Sequence, residues 1–301
     1  MNTDKLRGLW VAALTPLAAD GSVDVPALAR HCRRLFDSGC DGVAIFGTSG
    51  EGPHFAVRER MVALDGLLAA GIAPERLVAG TGCVAVPDAI ELSRHAVRAG
   101  IAAALMLPTF FVKNQGDAEV ERGVAAVVEG VDDPRLRLVL YHIPSWSAVE
   151  VGIPAVKALR RRFGETIFGI KDSSADWPHF QRYLAEVPEL SLFVGAELQF
   201  ARAVAGGGAG TICGLGNVAP RAMAAIKAGG AAGEAGQRDM EALCAFYATH
   251  PFLPTVKAMM AELSGEPGWR RLRPPLVEPG AAECATIAAA TTKLLRPAKA
   301  A

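Results

Sequence analysis

The chain carries no excess of either charge. Thirty-one Lys plus Arg are matched by 31 Asp plus Glu, so no global field draws it to nucleic acid or to an anionic membrane. It has no C-x-x-C pair. Cys32, Cys40, Cys83, Cys213, Cys244 and Cys284 stand far apart, which excludes the usual paired-thiol zinc and redox motifs and reads as small buried hydrophobes of a reduced compartment. No uncharged apolar run approaches the roughly 18 residues that crossing a bilayer requires. The first nine residues carry Asp4, Lys5 and Arg7 and then only a short apolar run, without the h-region of a secretory signal. These absences lead us to expect a cytoplasmic protein whose partners are small molecules or further copies of itself, not nucleic acid or membrane.

What is present is material for a large core: hydrophobic residues are 51% of the 301 and charged residues 21%, a globular balance. Eight short apolar runs recur, at 9–14, 42–46, 77–80, 102–107, 136–141, 167–170, 192–194 and 210–213. Each is apolar almost throughout, as in parallel strands covered on both faces. Between them lie helix-period stripes such as Leu28, Cys32, Leu35 and Phe36. Proline stands near the first turn of several of these helices, at Pro26, Pro87, Pro154 and Pro178, where its missing N–H costs little. Eight β-then-α units predict an α/β fold, a (β/α)8 TIM barrel. A doubly wound sheet is the alternative, but no G-x-G-x-x-G follows the first strand. After about residue 228 the strands stop. We expect a barrel domain over 1–228 and a C-terminal helical extension over 229–301 packed on it, with helices at 231–263 and 281–295 separated by a proline-rich connection at 267–279.

In such a barrel the reactive groups gather at the C-terminal ends of the strands. After the second strand comes Gly47-Thr48-Ser49-Gly50-Glu51-Gly52. Its glycines and hydroxyls suit a carboxylate cradle, and equally a tight turn that caps the next helix. After the fifth comes Tyr141-His142-Ile143-Pro144; a tyrosine there can relay a proton or simply pack. The sixth ends in Gly169-Ile170-Lys171-Asp172. Burial disfavours the ammonium form of such a lysine and frees the amine for attack on a carbonyl; the alternative is a packed stem whose head reaches solvent or pairs with Asp172. Gly195 and Glu197 after the seventh strand, and Cys213 and Gly214 at the eighth, are further candidates for substrate contact. His142 should face away from Tyr141, and His54, Asp172 and Glu197 also suit caps or ion pairs.

Gly-Thr-Ser-Gly-Glu, Tyr-x-x-Pro and Gly-Ile-Lys-Asp, on an eightfold βα chain, together resemble the dihydrodipicolinate synthase and N-acetylneuraminate lyase family over nearly the whole sequence. The resemblance implies that Lys171 forms a Schiff base with pyruvate or another 2-oxo acid, with no metal and no organic cofactor. It further implies that Tyr141 and Thr48 relay protons, that Gly47, Thr48 and Ser49 hold the substrate carboxylate, and that the chain assembles as a homo-oligomer, a dimer or tetramer.

Two positions depart from the family's synthases. Trp146 stands where they carry an arginine for the aldehyde's carboxylate, and an indole cannot replace a guanidinium fork. Phe110 stands at the tyrosine that a neighbouring subunit lends, and it lacks the hydroxyl. The expectation is therefore an aldolase or dehydratase for a 2-oxo acid with a less anionic far end, Trp146 and Phe110 forming an apolar wall. The alternatives are 4-hydroxy-tetrahydrodipicolinate synthase activity, with another cation such as Lys113 replacing the arginine, and a non-catalytic 2-oxo acid binder.

Overall fold

A computed structural model describes residues 5–295. Eight parallel strands close into a barrel in sequence order: β1 Gly8–Ala12, β2 Gly42–Ile45, β3 Leu77–Gly80, β4 Ala103–Met106, β5 Leu138–His142, β6 Ile167–Asp172, β7 Ser191–Val194 and β8 Gly210–Cys213. The helices are α1 Val25–Asp37, α2 Val57–Ala69, α3 Val86–Arg98, α4 Asp117–Val131, the short α5 Pro144–Ser147, α6 Ile153–Phe163, α7 Trp177–Glu186, α8 Phe200–Ala205, α9 Pro220–Ala228, α10 Gly230–Tyr247, α11 Phe252–Ser264 and α12 Ala281–Leu295.

The proline signals operate as helix starts: α1, α3, α6 and α7 each have proline in the first turn, and Asp24 and Asp176 cap α1 and α7 through side-chain bonds to the N–H of Ala27 and His179. Residues facing into the barrel, among them Trp10, Ala44, Val78, Leu105, Val139, Phe193 and Ile212, form one packed core. The outward side chains of the same strands pack under the helix ring in two larger clusters. The alternation of faces is the two-residue period of a strand.

The helical stretch expected at 231–263 is broken. It is two helices, α10 and α11, separated at residues 248–251, because Pro251 cannot continue the hydrogen-bond ladder of α10 and serves as the N-cap of α11. Met240 and Leu243 of α10, Leu253, Val256 and Met259 of α11 and Ile287 of α12 join the core cluster that holds β1, β2 and α1. The extension thus shares the hydrophobic interior of the β1–β3 flank.

Candidate active site

Two strand ends meet at the centre of the site. Tyr141 and Lys171 are register partners on β5 and β6, and both point inward. Each residue is 3% exposed, and Lys171 Nζ lies 4.1 Å from the centroid of the Tyr141 ring. Among the described residues this amine has no hydrogen-bond or ion-pair partner. The Tyr141 hydroxyl is 3.2 Å from Thr48 Oγ1. An amine, a phenol and an alcohol therefore stand side by side from β6 across β5 to the loop after β2, side chains of the types that imine chemistry uses.

That loop is held under constraint. Phe46 (φ 54) and Glu51 (φ 56) bracket it in the left-handed region, a conformation that costs on the order of 1–3 kcal/mol for a residue with a side chain and is found where function requires it. A Cβ at Gly52 would lie 1.9 Å from the Phe46 carbonyl oxygen, so only glycine allows this closure. The Gly52 N–H donates to the Gly47 carbonyl at 3.0 Å and Thr15 Oγ1 to the Gly50 carbonyl at 2.7 Å. The N–H groups of Thr48 and Ser49 have no acceptor among the described residues.

Beyond Thr48 lies a cavity of about 180 Å³ whose walls include His54, Leu107, Phe110, Ile143, Trp146 and Leu253. A smaller recess joins Thr48 to Gly47, Gly80, Leu105 and Tyr141. The larger cavity is mostly apolar, with Thr48, Glu51, His54 and Ser147 as the polar members of its lining, and no arginine or lysine lines it. Lys113 lies at its rim, where it donates to the carbonyls of Phe110 at 2.6 Å and Ser147 at 3.3 Å. Leu107, Ile143 and Leu253 had no sequence signal, since an apolar residue at a strand end looks the same whether it faces a core or a ligand.

Comparison with known proteins identifies the family. Residues 5–293 match the Dihydrodipicolinate synthetase family. The chain belongs to that family. It is 38% identical over 224 residues to an uncharacterized DapA-like lyase of Chloroflexus aurantiacus, covering 73% of each chain. It is 34% identical over 239 residues to a 4-hydroxy-tetrahydrodipicolinate synthase of Azoarcus sp., covering 76% of this chain and 77% of that one. The crystal structure of dihydrodipicolinate synthase from Agrobacterium tumefaciens superposes with a TM-score of 0.89 at 34% identity, over 96% of this chain and 99% of that chain. The protein is an enzyme of this family, a lyase.

Within this dihydrodipicolinate synthetase family member the remaining candidates have distinct surroundings. Phe110 forms part of this chain's own cavity wall, while the next residue, Phe111, is 77% exposed and Val112 is 67% exposed. Phe110 thus lies in the cavity wall, and Phe111 is the exposed aromatic of the two. Trp146 is 60% exposed at the cavity mouth. Glu197 accepts the N–H groups of Gly214 at 2.9 Å and Leu215 at 2.8 Å. Desolvation pushes its carboxyl above the ordinary range, against those two bonds and the nearby Lys171 charge. Its bonds make it a cap on the turn after β8, and they occupy the Gly214 N–H. The Gly195 N–H donates to the Asp172 carbonyl at 2.6 Å. Cys213 is fully buried with Sγ donating to the Trp10 carbonyl at 3.7 Å, and burial pushes its thiol up.

His142 and Asp172 are register partners as well, one residue beyond the central pair and on the outer face. There they meet α7. Asp172 accepts from His179 Nδ1 at 3.1 Å and from Ser174 N and Oγ at 2.8 and 2.6 Å. Burial alone would raise this carboxyl, and those bonds more than reverse it, leaving it below its ordinary value. His142 Nδ1 accepts the Val151 N–H at 3.0 Å, and its ring stacks on His179 at 4.5 Å. The two imidazoles lie face to face with an interplanar angle of 25°. His142, Asp172 and His179 form the sole group of three potential ligand residues among those described, and its bonds are those of a support beneath Lys171.

Proposed function

We propose that the enzyme forms a Schiff base between Lys171 and pyruvate or another 2-oxo acid, without metal or organic cofactor, and makes or breaks a bond to a partner fragment with an apolar tail. The observation that carries this reading is the buried Lys171 amine, unpartnered among the described residues, 4.1 Å from the Tyr141 ring. The neutral amine attacks the C2 carbonyl, and loss of water from the carbinolamine leaves a protonated imine. That imine accepts electron density when the C3–C4 bond of a 4-hydroxy-2-oxo acid breaks, releasing an aldehyde and an enamine. Protonation of the enamine at C3 and hydrolysis return pyruvate and the free lysine; condensation is the same sequence reversed.

Tyr141 supplies and recovers the proton at the substrate oxygen, and Thr48, 3.2 Å away, carries it onward. The free N–H groups of Thr48 and Ser49, with Gly47 clearing space beside them, hold the substrate carboxylate. Gly195, Glu197, Cys213 and Gly214 close the opposite side of the mouth; Cys213 can contribute only backbone there, because its side chain is buried.

The Leu107, Phe110, Ile143, Trp146 and Leu253 wall favours an alkyl or aryl aldehyde over aspartate semialdehyde, whose carboxylate would be desolvated there without a guanidinium. A non-catalytic binder would have no use for an unpaired amine beside a phenol. The exposed Phe111 and Val112 favour assembly into a homo-oligomer, to be checked by light scattering against the 31.4 kDa of one chain.

Borohydride reduction in the presence of pyruvate should leave a stable adduct that peptide mass mapping locates on Lys171. Its absence there would sink the reading. A panel of aldehydes should then show turnover with apolar-tailed acceptors. A kcat near ~10 s⁻¹ for pyruvate plus aspartate semialdehyde, a rate typical of enzymes on their own substrates, would restore the synthase alternative.

A further inference from the structure

The carboxylate-binding loop ends in a side chain that belongs to another part of the molecule. Glu51 Oε1 accepts from Lys257 Nζ at 2.5 Å, and both side chains are 0% exposed. Oε2 accepts the backbone N–H of Arg273 at 3.1 Å. These donors lie 206 and 222 residues further along the chain, in α11 and in the connection that follows it. That connection holds the same region twice more: the Arg273 guanidinium stacks 4.1 Å from the Phe55 ring centroid and donates to the His54 carbonyl at 3.1 Å.

Glu51 is also tied into the loop itself. Its own N–H donates to the Thr48 carbonyl at 3.1 Å, and the next residue donates to Gly47 at 3.0 Å. A displacement of the Glu51 side chain is therefore passed by short covalent and hydrogen-bonded steps to the peptide units whose N–H groups face the site. The left-handed backbone at Glu51 (φ 56) is a conformation that relaxes unless something holds it. In α11 the holding group is a buried cation with no solvent to substitute for its partner.

The geometry points to Glu51 and Lys257 as a positioning pair through which the helical extension sets the carboxylate-binding loop for a 2-oxo acid. The inference rests on the reading of Lys171 as the imine-forming amine and of loop 47–52 as the cradle. Neither side chain of the pair takes part in bond making. Its disruption weakens capture of the carboxylate and leaves the reactivity of the amine intact.

The test compares two carbonyl compounds: pyruvate, which carries the carboxylate, and acetone, which does not. Borohydride trapping at Lys171 is measured as a function of each in wild type, Lys257→Met and the Glu51→Gln/Lys257→Met double variant. The double variant leaves no lone buried charge and decides the matter if the single variant does not fold. The half-saturating pyruvate concentration should rise about tenfold in Lys257→Met, the size of effect expected when hydrogen bonds to a carboxylate are misplaced. It should rise several-fold in the double variant. The trapping rate at saturating pyruvate and the acetone rate should stay within about twofold of wild type, the split that marks a loss of uniform binding. Equal losses for pyruvate and acetone, or an unchanged half-saturation for pyruvate, would overturn the inference. Failure of the wild-type enzyme to form any adduct would instead remove the Schiff-base reading on which it rests.

Discussion

Among the described residues two lysines are buried, Lys171 in the barrel and Lys257 in the helical extension, and their surroundings are opposite. Lys257, 0% exposed, faces the Glu51 carboxylate at 2.5 Å. Burial draws its ammonium below the ordinary lysine value, and the charge and hydrogen bond of Glu51 act against that fall. Lys171, 3% exposed, faces a phenol ring at 4.1 Å and meets no carboxylate at bonding distance among the described residues. A buried amine held by a carboxylate is tied into the structure, whereas one beside a phenol ring has no ion-pair partner to displace. The contrast separates a lysine tied to a carboxylate from the one proposed to form the imine.

The strongest way to break that contrast is to remove the free amine. Lys171→Ala should lose on the order of 10³-fold or more in turnover and abolish the borohydride adduct, with an unchanged urea midpoint. An adduct recovered on Lys257 in its place would erase the distinction. Removing the paired amine should act on stability instead: Lys257→Met should cost about 3–5 kcal/mol by urea denaturation, because a lone carboxylate is left buried. The Glu51→Gln/Lys257→Met double variant should recover much of that loss, and equal stability of single and double variants would count against the pair.

Next in size, Tyr141→Phe should lower turnover by about 10²-fold, the scale of a missing proton donor, while pyruvate still leaves a trapped adduct. Loss of the adduct would mean that the hydroxyl is needed to make the imine as well as to use it.

A third buried base gives the smallest effect. His31 is 3% exposed, its Nε2 is 2.7 Å from Asn217 Oδ1, and burial, aided by the Arg34 charge, draws its pKa down to about 3. The unfolded chain therefore binds a proton that the folded chain refuses. Stability from this group is complete above the unfolded value of about 6.5 and is lost as pH falls toward 3, at about 1 kcal/mol over the first unit. Denaturation of His31→Gln across this range should show a shallower acid slope than wild type, and identical slopes would refute the assignment.

Much of this architecture was written locally. Eight buried strands, the proline-marked helix starts and the residues at the ends of β2, β5 and β6 follow from short windows of sequence. What could not be read there was set by distant partners. On sequence alone the fifth and sixth apolar runs close at Tyr141 and Ile170, short of His142 and of Lys171 and Asp172, because polar side chains usually close a buried strand. Here His142 and Asp172 stay in the ladder because partners meet them on the outer face: the Val151 N–H for His142, and His179 and Ser174 for Asp172. The stretch 231–263 read as one helix because its apolar spacing runs on almost unbroken across Pro251. Lys257 gave no signal at all: a lysine in an amphipathic stretch reads as surface until Glu51 is brought beneath it. Phe110 and Phe111 are adjacent phenylalanines in one loop, and only the path of the backbone decides which lines a cavity and which faces outward.

The pairing of Tyr141 with Lys171 across adjacent parallel strands has an engineering consequence. Their separation is dictated by the inter-strand spacing of about 4.8 Å, not by any loop. Trp146 and Phe110, by contrast, sit on connections whose length and composition can vary while the ladder stays in register. Libraries confined to those two connections should therefore exchange one acceptor for another without retuning the chemistry underneath.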